Sequence, residues 1–247
     1  MLTKAQIKHL QGLKLKKYRQ NYGDFVIEGD KLVTEALLEN VVPDLLIATN
    51  DWMRAHAGSL PEELPVAEVT EQEMAKISSL STPQPVLALV KKRVVQLKDV
   101  DTGSGWILVL DDIRDPGNFG TILRTADWFG FSTVVCSASC VELYNPKVIQ
   151  STMGAIFRSK VVYTDLVNWL PAVTLPKYAA VLGGNDLRQT PFTQHGVLVI
   201  GSESHGISDE VLRLCAHHIT IPAHGKGESL NAGIAAGICM YHIRAGH

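Results

Sequence analysis

The sequence lacks the features that mark membrane-embedded, secreted and zinc-binding proteins. Its 247 residues contain four cysteines without a C-x-x-C pair, which argues against a disulfide framework and a zinc site. The longest apolar runs, such as 106–110, are far too short to cross a bilayer. No apolar core follows the first charged residues, so a secretory signal is not expected. We therefore expect a cytoplasmic protein with reduced thiols and no membrane association.

Several catalytic fingerprints are missing as well. No G-x-G-x-x-G follows a predicted strand, and the sequence around Lys226 lacks the upstream glycine and the hydroxyl residue of a P-loop. There is no G-x-S-x-G elbow. Cys215, His217 and His218 are close in sequence, but strand alternation points adjacent histidines to opposite faces, so no metal site is expected. An NAD-linked oxidoreductase is weakened by these absences and stays an alternative.

The composition is that of a globular protein, with 46% hydrophobic and 19% charged residues. A polar, glycine-containing stretch at 98–105 separates two differently patterned halves. We therefore predict a small α/β domain over 1–97, a linker over 98–105 and a second domain over 106–247. In the first domain, Thr70 and Glu73 predict a capping box at the start of a short helix.

The second half alternates continuous apolar runs with helical patterns. Apolar strands without polar alternation are typical of a sheet that is covered on both faces. The alternation predicts a mostly parallel, doubly wound α/β sheet, in which ligands bind beyond the carboxyl ends of the strands. Strands are predicted at 106–110, 133–136, 159–163, 178–182, 197–200 and 218–221, and helices at 118–129, 209–215 and 230–243.

Three polar loops follow three of these strands. The first leads through a Pro-Gly turn to a helix that carries Asn118 and Arg124, and the second, at 201–206, contains Glu203 between two glycines. The third, at 221–231, contains Ser229 as the predicted N-cap of the last helix. Glycines four residues apart on that helix predict tight packing against the chain or a partner.

The first twenty residues form a basic segment. It contains no Asp or Glu, and Lys and Arg concentrated in this way favour binding to a phosphate backbone, although a solvated helix face has the same composition. The candidate RNA-binding residues are Lys14, Lys16, Lys17 and Arg19.

In this order, the segments 115–124, 201–206 and 221–231 resemble the three motifs of the SpoU (TrmH) RNA methyltransferase family, which belongs to the SPOUT superfamily. The resemblance covers 106–243. The first half is similar to the accessory substrate-binding domain of that family, through 17–19, 25–29 and 31–33.

The resemblance implies S-adenosylmethionine (SAM) as methyl donor, no metal, and a ribose 2′-hydroxyl of structured RNA as acceptor. It also implies a C-terminal trefoil knot and a homodimer packed through the knot helices, whose subunits complete the active site together. Arg124 is the residue implied at the acceptor oxygen. A literal base role would demand a strongly perturbed guanidinium or a phosphate relay, so of the two roles left open, base and orienting group, we prefer orientation with phosphate-assisted deprotonation. Asn118, Glu203, Ser229 and Asn231 are implied to hold Arg124, the ribose and the cofactor loop. The residues implied around SAM, largely through their backbone, are Val199, Ile200, Gly201, Ile221, Leu230 and Ala232.

The third motif departs from the family pattern at three positions. Ala223 stands where the family usually has Met, and Ala232-Gly233 where it has Val-Ser, which bears on pocket shape and SAM affinity. The expected substrate is ribosomal RNA, and a tRNA 2′-O-methyltransferase and a catalytically inactive RNA-binding or ribosome-assembly protein remain alternatives. Base methylation is less favoured than ribose methylation.

Overall fold

The computed structural model describes residues 2–246, and the chain divides into two compact units. One unit comprises Met1–Val94 together with Glu142–Phe157, and the other comprises Val95–Val141 and Arg158–His247. This division differs from the predicted domains in two places. Residues 142–157 return to the first unit, and Val100, inside the predicted linker, is buried in the core of the second. Val100 therefore packs against the second unit, whereas most of its neighbours within 98–105 are exposed.

The first unit contains a four-stranded mixed sheet with the order β1-β4-β2-β3. The pairs β1–β4 and β2–β4 are antiparallel, and β2–β3 is parallel. Its core includes Leu10, Ile47, Met74 and Leu87. The strands are β1 (Asp24–Glu28), β2 (Leu45–Ala48), β3 (Val66–Glu68) and β4 (Val86–Lys91), and the helices are α1 (Lys4–Gly12), α2 (Lys16–Tyr22), α3 (Asp30–Leu38), α4 (Asn50–His56), α5 (Glu71–Ile77) and α7 (Pro146–Thr152), with a 3-10 turn at Ala155–Phe157.

The second unit is built on a six-stranded sheet with the order β10-β8-β9-β5-β6-β7, and every pair in it is parallel. The prediction of a parallel α/β sheet is confirmed, and the central strand β5 is buried along its whole length. The strands are β5 (Trp106–Asp111), β6 (Thr133–Ser137), β7 (Lys160–Thr164), β8 (Lys177–Asp186), β9 (Gly196–Gly201) and β10 (His217–Thr220), and the helices are α6 (Pro116–Trp128), α8 (Leu166–Trp169), α9 (Asp209–Leu212) and α10 (Ala232–Ala245), with 3-10 turns at Leu97–Asp99, Leu170–Ala172 and Leu187–Gln189.

Helix termini follow local capping chemistry. Thr70 accepts a hydrogen bond from the Glu73 backbone while the Glu73 carboxylate accepts from the Thr70 backbone, which confirms the predicted capping box of α5. Asp115 caps α6, and Pro116 occupies its first turn, where a missing N–H costs nothing. Within residues 2–246, no helix combines the length and the apolar character that crossing a bilayer requires.

Candidate active site

A cavity of about 660 Å³ lies at the carboxyl ends of the strands of the second unit. This volume is in the range of small-molecule sites, which run from roughly 300 to 1,000 Å³. The position follows from the parallel sheet, because the loops after successive strands gather at one edge. The cavity is lined by residues 180–182, 200–203, 205–207, 219–225 and 227–230, and by Asp209, Leu212, Ala232 and Ala235.

The loop after β9 is a tight turn. Ser202 and Gly206 exchange two backbone hydrogen bonds, of 3.0 and 2.9 Å between N and O. A Cβ atom at Gly201 would lie 2.1 Å from the carbonyl carbon of Gly206, so only glycine allows this approach. The turn places Glu203 at the edge of the cavity.

The side chains of Asn118, Glu203 and Asn231, from three separate segments, form one chain of hydrogen bonds. The Asn118 amide donates to Glu203 Oε1, and the Asn231 amide donates to Asn118 Oδ1 at 2.8 Å. Glu203 Oε1 also accepts from the backbone N–H of Ala232, at 3.3 Å. The start of α6, the loop after β9 and the start of α10 therefore converge within one chain, as the motif order predicts.

Asn231, and not Ser229, caps the last helix. Its Oδ1 accepts from the backbone N–H groups of Gly233 and Ile234, at 3.0 and 3.3 Å. The prediction that Ser229 is the cap was wrong, because α10 begins at Ala232 rather than at 230. Ser229 instead is exposed and lines the cavity.

The small residues of α10 pack against α6 in the same chain. A Cβ atom at Gly233 would lie 3.3 Å from Thr121 Cγ2, and one at Gly237 would lie 3.5 Å from Thr125 Cγ2. Of the two partners that the glycine spacing left open, the structure identifies the chain itself. The glycine face is therefore already occupied and is not available to a second subunit.

Arg124 lies apart from the Glu203 cluster. It is exposed on α6, six residues after Asn118, which corresponds to about 9 Å along the helix axis. It does not line the cavity of its own chain. Its guanidinium has no hydrogen bond or ion pair with any residue of 2–246, so its five donors are available to a substrate.

Five of the six residues predicted around the cofactor line the cavity, namely Ile200, Gly201, Ile221, Leu230 and Ala232. The sixth, Val199, does not. It is fully buried in the core cluster that also contains Val109 and Val211. Its side chain belongs to the packing of the sheet, so a contact of Val199 with the cofactor through its backbone stays a prediction.

The sequence analysis missed one wall of the cavity. Residues 180–182 of β8 line it because the pairing of β8 with β10 is interrupted there. His218 pairs with Ala179, but the next residue, Ile219, pairs with Asn185, and the segment between these two partners bulges away. The glycine pair inside the strand, Gly183-Gly184, was the signal that could have revealed it.

The first loop of the site is fixed by two carboxylates. Asp111, which is buried, accepts from the backbone N–H and the hydroxyl of Ser208, at 2.9 and 2.7 Å. Burial raises the pKa of Asp112, but hydrogen bonds from Arg114 and Ser139 outweigh this effect and leave the pKa below its ordinary value. Both charges therefore support the loop that leads to α6.

The four cysteines are all buried and unpaired. Burial raises the pKa of Cys215 to about 11 and that of Cys239 to about 12, so these two thiols stay protonated at neutral pH and are poor nucleophiles. Within residues 2–246, His, Cys, Asp and Glu form no group of three or more that could hold a metal ion.

The predicted RNA-binding residues of the first unit fall into two groups. Arg19 is buried, and its guanidinium binds Glu142 at 2.5 Å and the backbone carbonyl groups of Leu13 and Lys14. Its assignment to RNA binding was wrong, because the guanidinium is buried and its N–H groups donate to partners within the protein. Lys14 is exposed but donates to the carbonyl of Ser78. Lys16 and Lys17 are exposed.

The model of the SpoU rRNA Methylase family matches residues 105–241. The chain belongs to this family. The MRM3-like substrate binding domain matches residues 4–88, in the unit that carries the basic segment.

Relatives of the SpoU family match over nearly the whole chain. The 23S rRNA (guanosine(2553)-2'-O)-methyltransferase RlmP of Bacillus subtilis is 30% identical over 97% of this chain and 96% of its own length. An rRNA methyltransferase from Sinorhizobium meliloti, solved with bound AdoMet (SAM), is 30% identical with a TM-score of 0.88 over 100% of this chain and 96% of that one. A TrmH-family protein from Porphyromonas gingivalis is 36% identical with a TM-score of 0.89 over both complete chains.

Proposed function

We infer that this protein is an enzyme that transfers a methyl group from SAM to a ribose 2′-hydroxyl of ribosomal RNA. The observation that carries this inference is the convergence of Asn118, Glu203 and Asn231 at the edge of the cavity. The relatives support the same reaction, since RlmP of Bacillus subtilis is named as a 23S rRNA 2'-O-methyltransferase. A cytoplasmic location is part of the same proposal.

The cavity fits SAM in size and in lining. The apolar side chains of Ile200, Ile221 and Leu230 can pack against an adenosyl group, and the loop above them leaves room. A Cβ atom at Gly225 or Gly227 would meet nothing within 4 Å, so this loop leaves open space for a ligand. When bound, SAM supplies an electrophilic methyl group on a sulfonium sulfur.

The residues of the chain must align the acceptor hydroxyl and help to remove its proton. The planar fork of Arg124 can hold the ribose oxygen and an adjacent phosphate together. A guanidinium stays charged in proteins, so Arg124 orients the acceptor while the phosphate takes the proton. Glu203, which binds both Asn118 and the N–H of Ala232, keeps the cofactor loop in place, and Ser229 contributes a hydroxyl at the cavity wall.

An Arg124→Ala variant tests this assignment. Without the guanidinium, we expect transfer of labelled methyl from SAM to ribosomal RNA to fall by roughly 100-fold or more, the order of effect that removal of a preorganised donor has. SAM affinity, measured by calorimetry, should stay within about twofold, because Arg124 does not line the cavity.

Two controls accompany this measurement. Arg124→Lys keeps the charge but loses the planar fork, and we expect it to stay impaired. Parallel reactions with tRNA separate the two RNA substrates. Undiminished methylation by Arg124→Ala would refute its role. SAM binding by the wild type without transfer to any RNA would favour the inactive RNA-binding alternative.

We also propose that the protein is a homodimer with a trefoil knot in its second unit. Ile234, Ile238 and Tyr241 are 56%, 37% and 62% exposed, and their spacing puts them on one face of α10. Trp128, at the end of the neighbouring helix α6, is 83% exposed. A second copy of the chain would cover this exposed apolar face. Arg124 does not line the cavity of its own chain, which suits an active site that two subunits complete together.

A further inference from the structure

Two tyrosines of α2 form an exposed aromatic pair in the first unit. The side chains of Tyr18 and Tyr22 are 38% and 52% exposed. Their rings are nearly parallel, at 9° between planes, with centroids 6.2 Å apart. The proposed methyl-transfer mechanism does not use them, and a large part of both side chains is open to solvent.

Contacts with α1 hold the two tyrosine rings in place. The Tyr18 ring lies over Gly12 of α1, where a Cβ atom would be 3.4 Å from Tyr18 Cγ. The Tyr22 ring meets His9 edge to face, with centroids 4.6 Å apart. Arg19, on the same short helix, is buried and bound to Glu142. The rings are therefore ordered before any ligand arrives, which lowers the entropic cost of stacking onto them.

The charge around the pair is positive. Lys16 and Lys17 precede Tyr18 directly and are exposed, and residues 2–20 contain no acidic side chain. Asp24 is the nearest acidic residue in sequence, and it is paired with His9 at 2.9 Å and with Lys91 at 2.5 Å. A ligand that suits this surface has a flat π-face and negative charges beside it.

We propose that Tyr18 and Tyr22 form a stacking platform for an unpaired nucleobase of the RNA substrate, with Lys16 and Lys17 on the adjoining phosphates. The proposal rests on the proposed function, because it assumes an RNA substrate. Bases inside a duplex already stack on their neighbours, so only a single-stranded or bulged nucleotide offers a free face. The platform therefore selects RNA that carries an unpaired nucleotide.

The test uses the full-length protein and two fluorescein-labelled probes, a single-stranded oligoribonucleotide of mixed sequence and a blunt RNA duplex of equal length. Tyr22→Ala should weaken single-strand binding by roughly 5- to 150-fold, the effect of losing one aromatic–base stack. Tyr22→Phe should bind within about twofold of the wild type, because stacking needs the ring and not the hydroxyl. Leu38→Ala, which truncates another exposed apolar side chain of the same unit, serves as the matched control.

Salt dependence separates the lysines from the tyrosines. Replacing Lys16 and Lys17 by Gln should lower the slope of log affinity against log salt by about 0.7 per lost phosphate contact on a single strand. Tyr22→Ala should leave this slope unchanged. Circular dichroism melting of each variant ensures that folded proteins are compared.

Three outcomes would overturn the platform: wild-type single-strand affinity for Tyr22→Ala, equal weakening by Tyr22→Phe, or equal loss of duplex binding. Failure here is distinguishable from failure of the proposed function. If the wild type methylates ribosomal RNA while Tyr22→Ala binds it normally, only the platform is wrong. If the wild type transfers no methyl group but single-strand binding depends on Tyr22, the platform stands and the enzymatic assignment fails.

Discussion

A single methyl group at Gly201 should disable the cofactor loop. The Cβ atom of Gly201→Ala would lie 2.1 Å from the carbonyl carbon of Gly206 and 2.3 Å from the backbone nitrogen of Ile207. Backbone atoms cannot rotate away as a side chain can, so the turn must shift by more than an ångström. The shift would break the two hydrogen bonds between Ser202 and Gly206 and move Glu203 away from its partners.

The magnitude follows from these contacts. Two backbone hydrogen bonds contribute about 1 kcal/mol each, and forcing a methyl group into a packed site costs about 1–3 kcal/mol. The turn can relax in part, so we expect a loss of roughly 3 kcal/mol of unfolding free energy. For a unit of this size that corresponds to a fall in Tm of roughly 6–12 °C. The affinity for SAM should fall by at least about tenfold, because Gly201 and Glu203 both line the cavity.

Gly225→Ala is the matched control, since a Cβ atom there meets nothing within 4 Å and Gly225 also lines the cavity. Its Tm should stay within about 1 °C of the wild type. Both variants are measured by scanning calorimetry and by titration with SAM. If Gly201→Ala had the stability and the SAM affinity of the wild type, the close approach of Gly201 to Gly206 would not be the reason for glycine at this position.

Three further changes test other parts of the structure. Arg19→Ala should destabilise the first unit by about 3 kcal/mol in urea unfolding, because it leaves the half-buried Glu142 with Lys92 alone, and an exposed Lys17→Ala control should change stability by less than about 0.5 kcal/mol. Burial raises the pKa of Glu142, but the hydrogen bonds from Arg19 and Lys92 outweigh this effect and leave the pKa below its ordinary value. The ion pairs of ionised Glu142 therefore stabilise the first unit above about pH 4.3, and this stabilisation is lost as the pH falls through the pKa of Glu142 in the folded protein. Glu142→Gln should therefore flatten the acid side of a profile of Tm against pH. An unchanged profile would contradict this reasoning. Ile238→Asp should convert a dimer to a monomer in light scattering and abolish methyl transfer, whereas a dimer that persists would place the interface elsewhere.

The backbone of the second unit could be predicted because its physics is local. Continuous apolar runs specify buried strands wherever they occur, and all six strands begin within one residue of their predicted start, including β5 at Trp106 and β9 at Gly196. The capping box of Thr70 and Glu73 was likewise predictable, because both partners lie within one turn. The end of β8 was not, since the bulge after Ala179 depends on pairing with a strand almost forty residues later.

The same distinction between local and long-range contacts decides which features of the site could be predicted. Asn118, Glu203 and Asn231 were expected together from the family resemblance, and the structure joins them by hydrogen bonds across 85 and 113 residues. Ser229 and Asn231 are both good caps by residue type. In the structure Asn231 caps the helix and its amide also donates to Asn118, a tertiary contact that residue type alone does not reveal.

The basic segment shows why charge in a sequence is weak information about binding. Lys17 and Arg19 are two residues apart and carry the same charge, yet Lys17 is exposed while Arg19 is 3% exposed. The difference arises from Glu142, which is more than 120 residues away and returns to the first unit within Glu142–Phe157. A buried carboxylate needs a partner that stays charged and donates two parallel hydrogen bonds, and arginine meets both needs better than lysine. In a mixed run of Lys and Arg, the arginine is therefore the first candidate for an internal ion pair, and the lysines are the first candidates for contact with RNA.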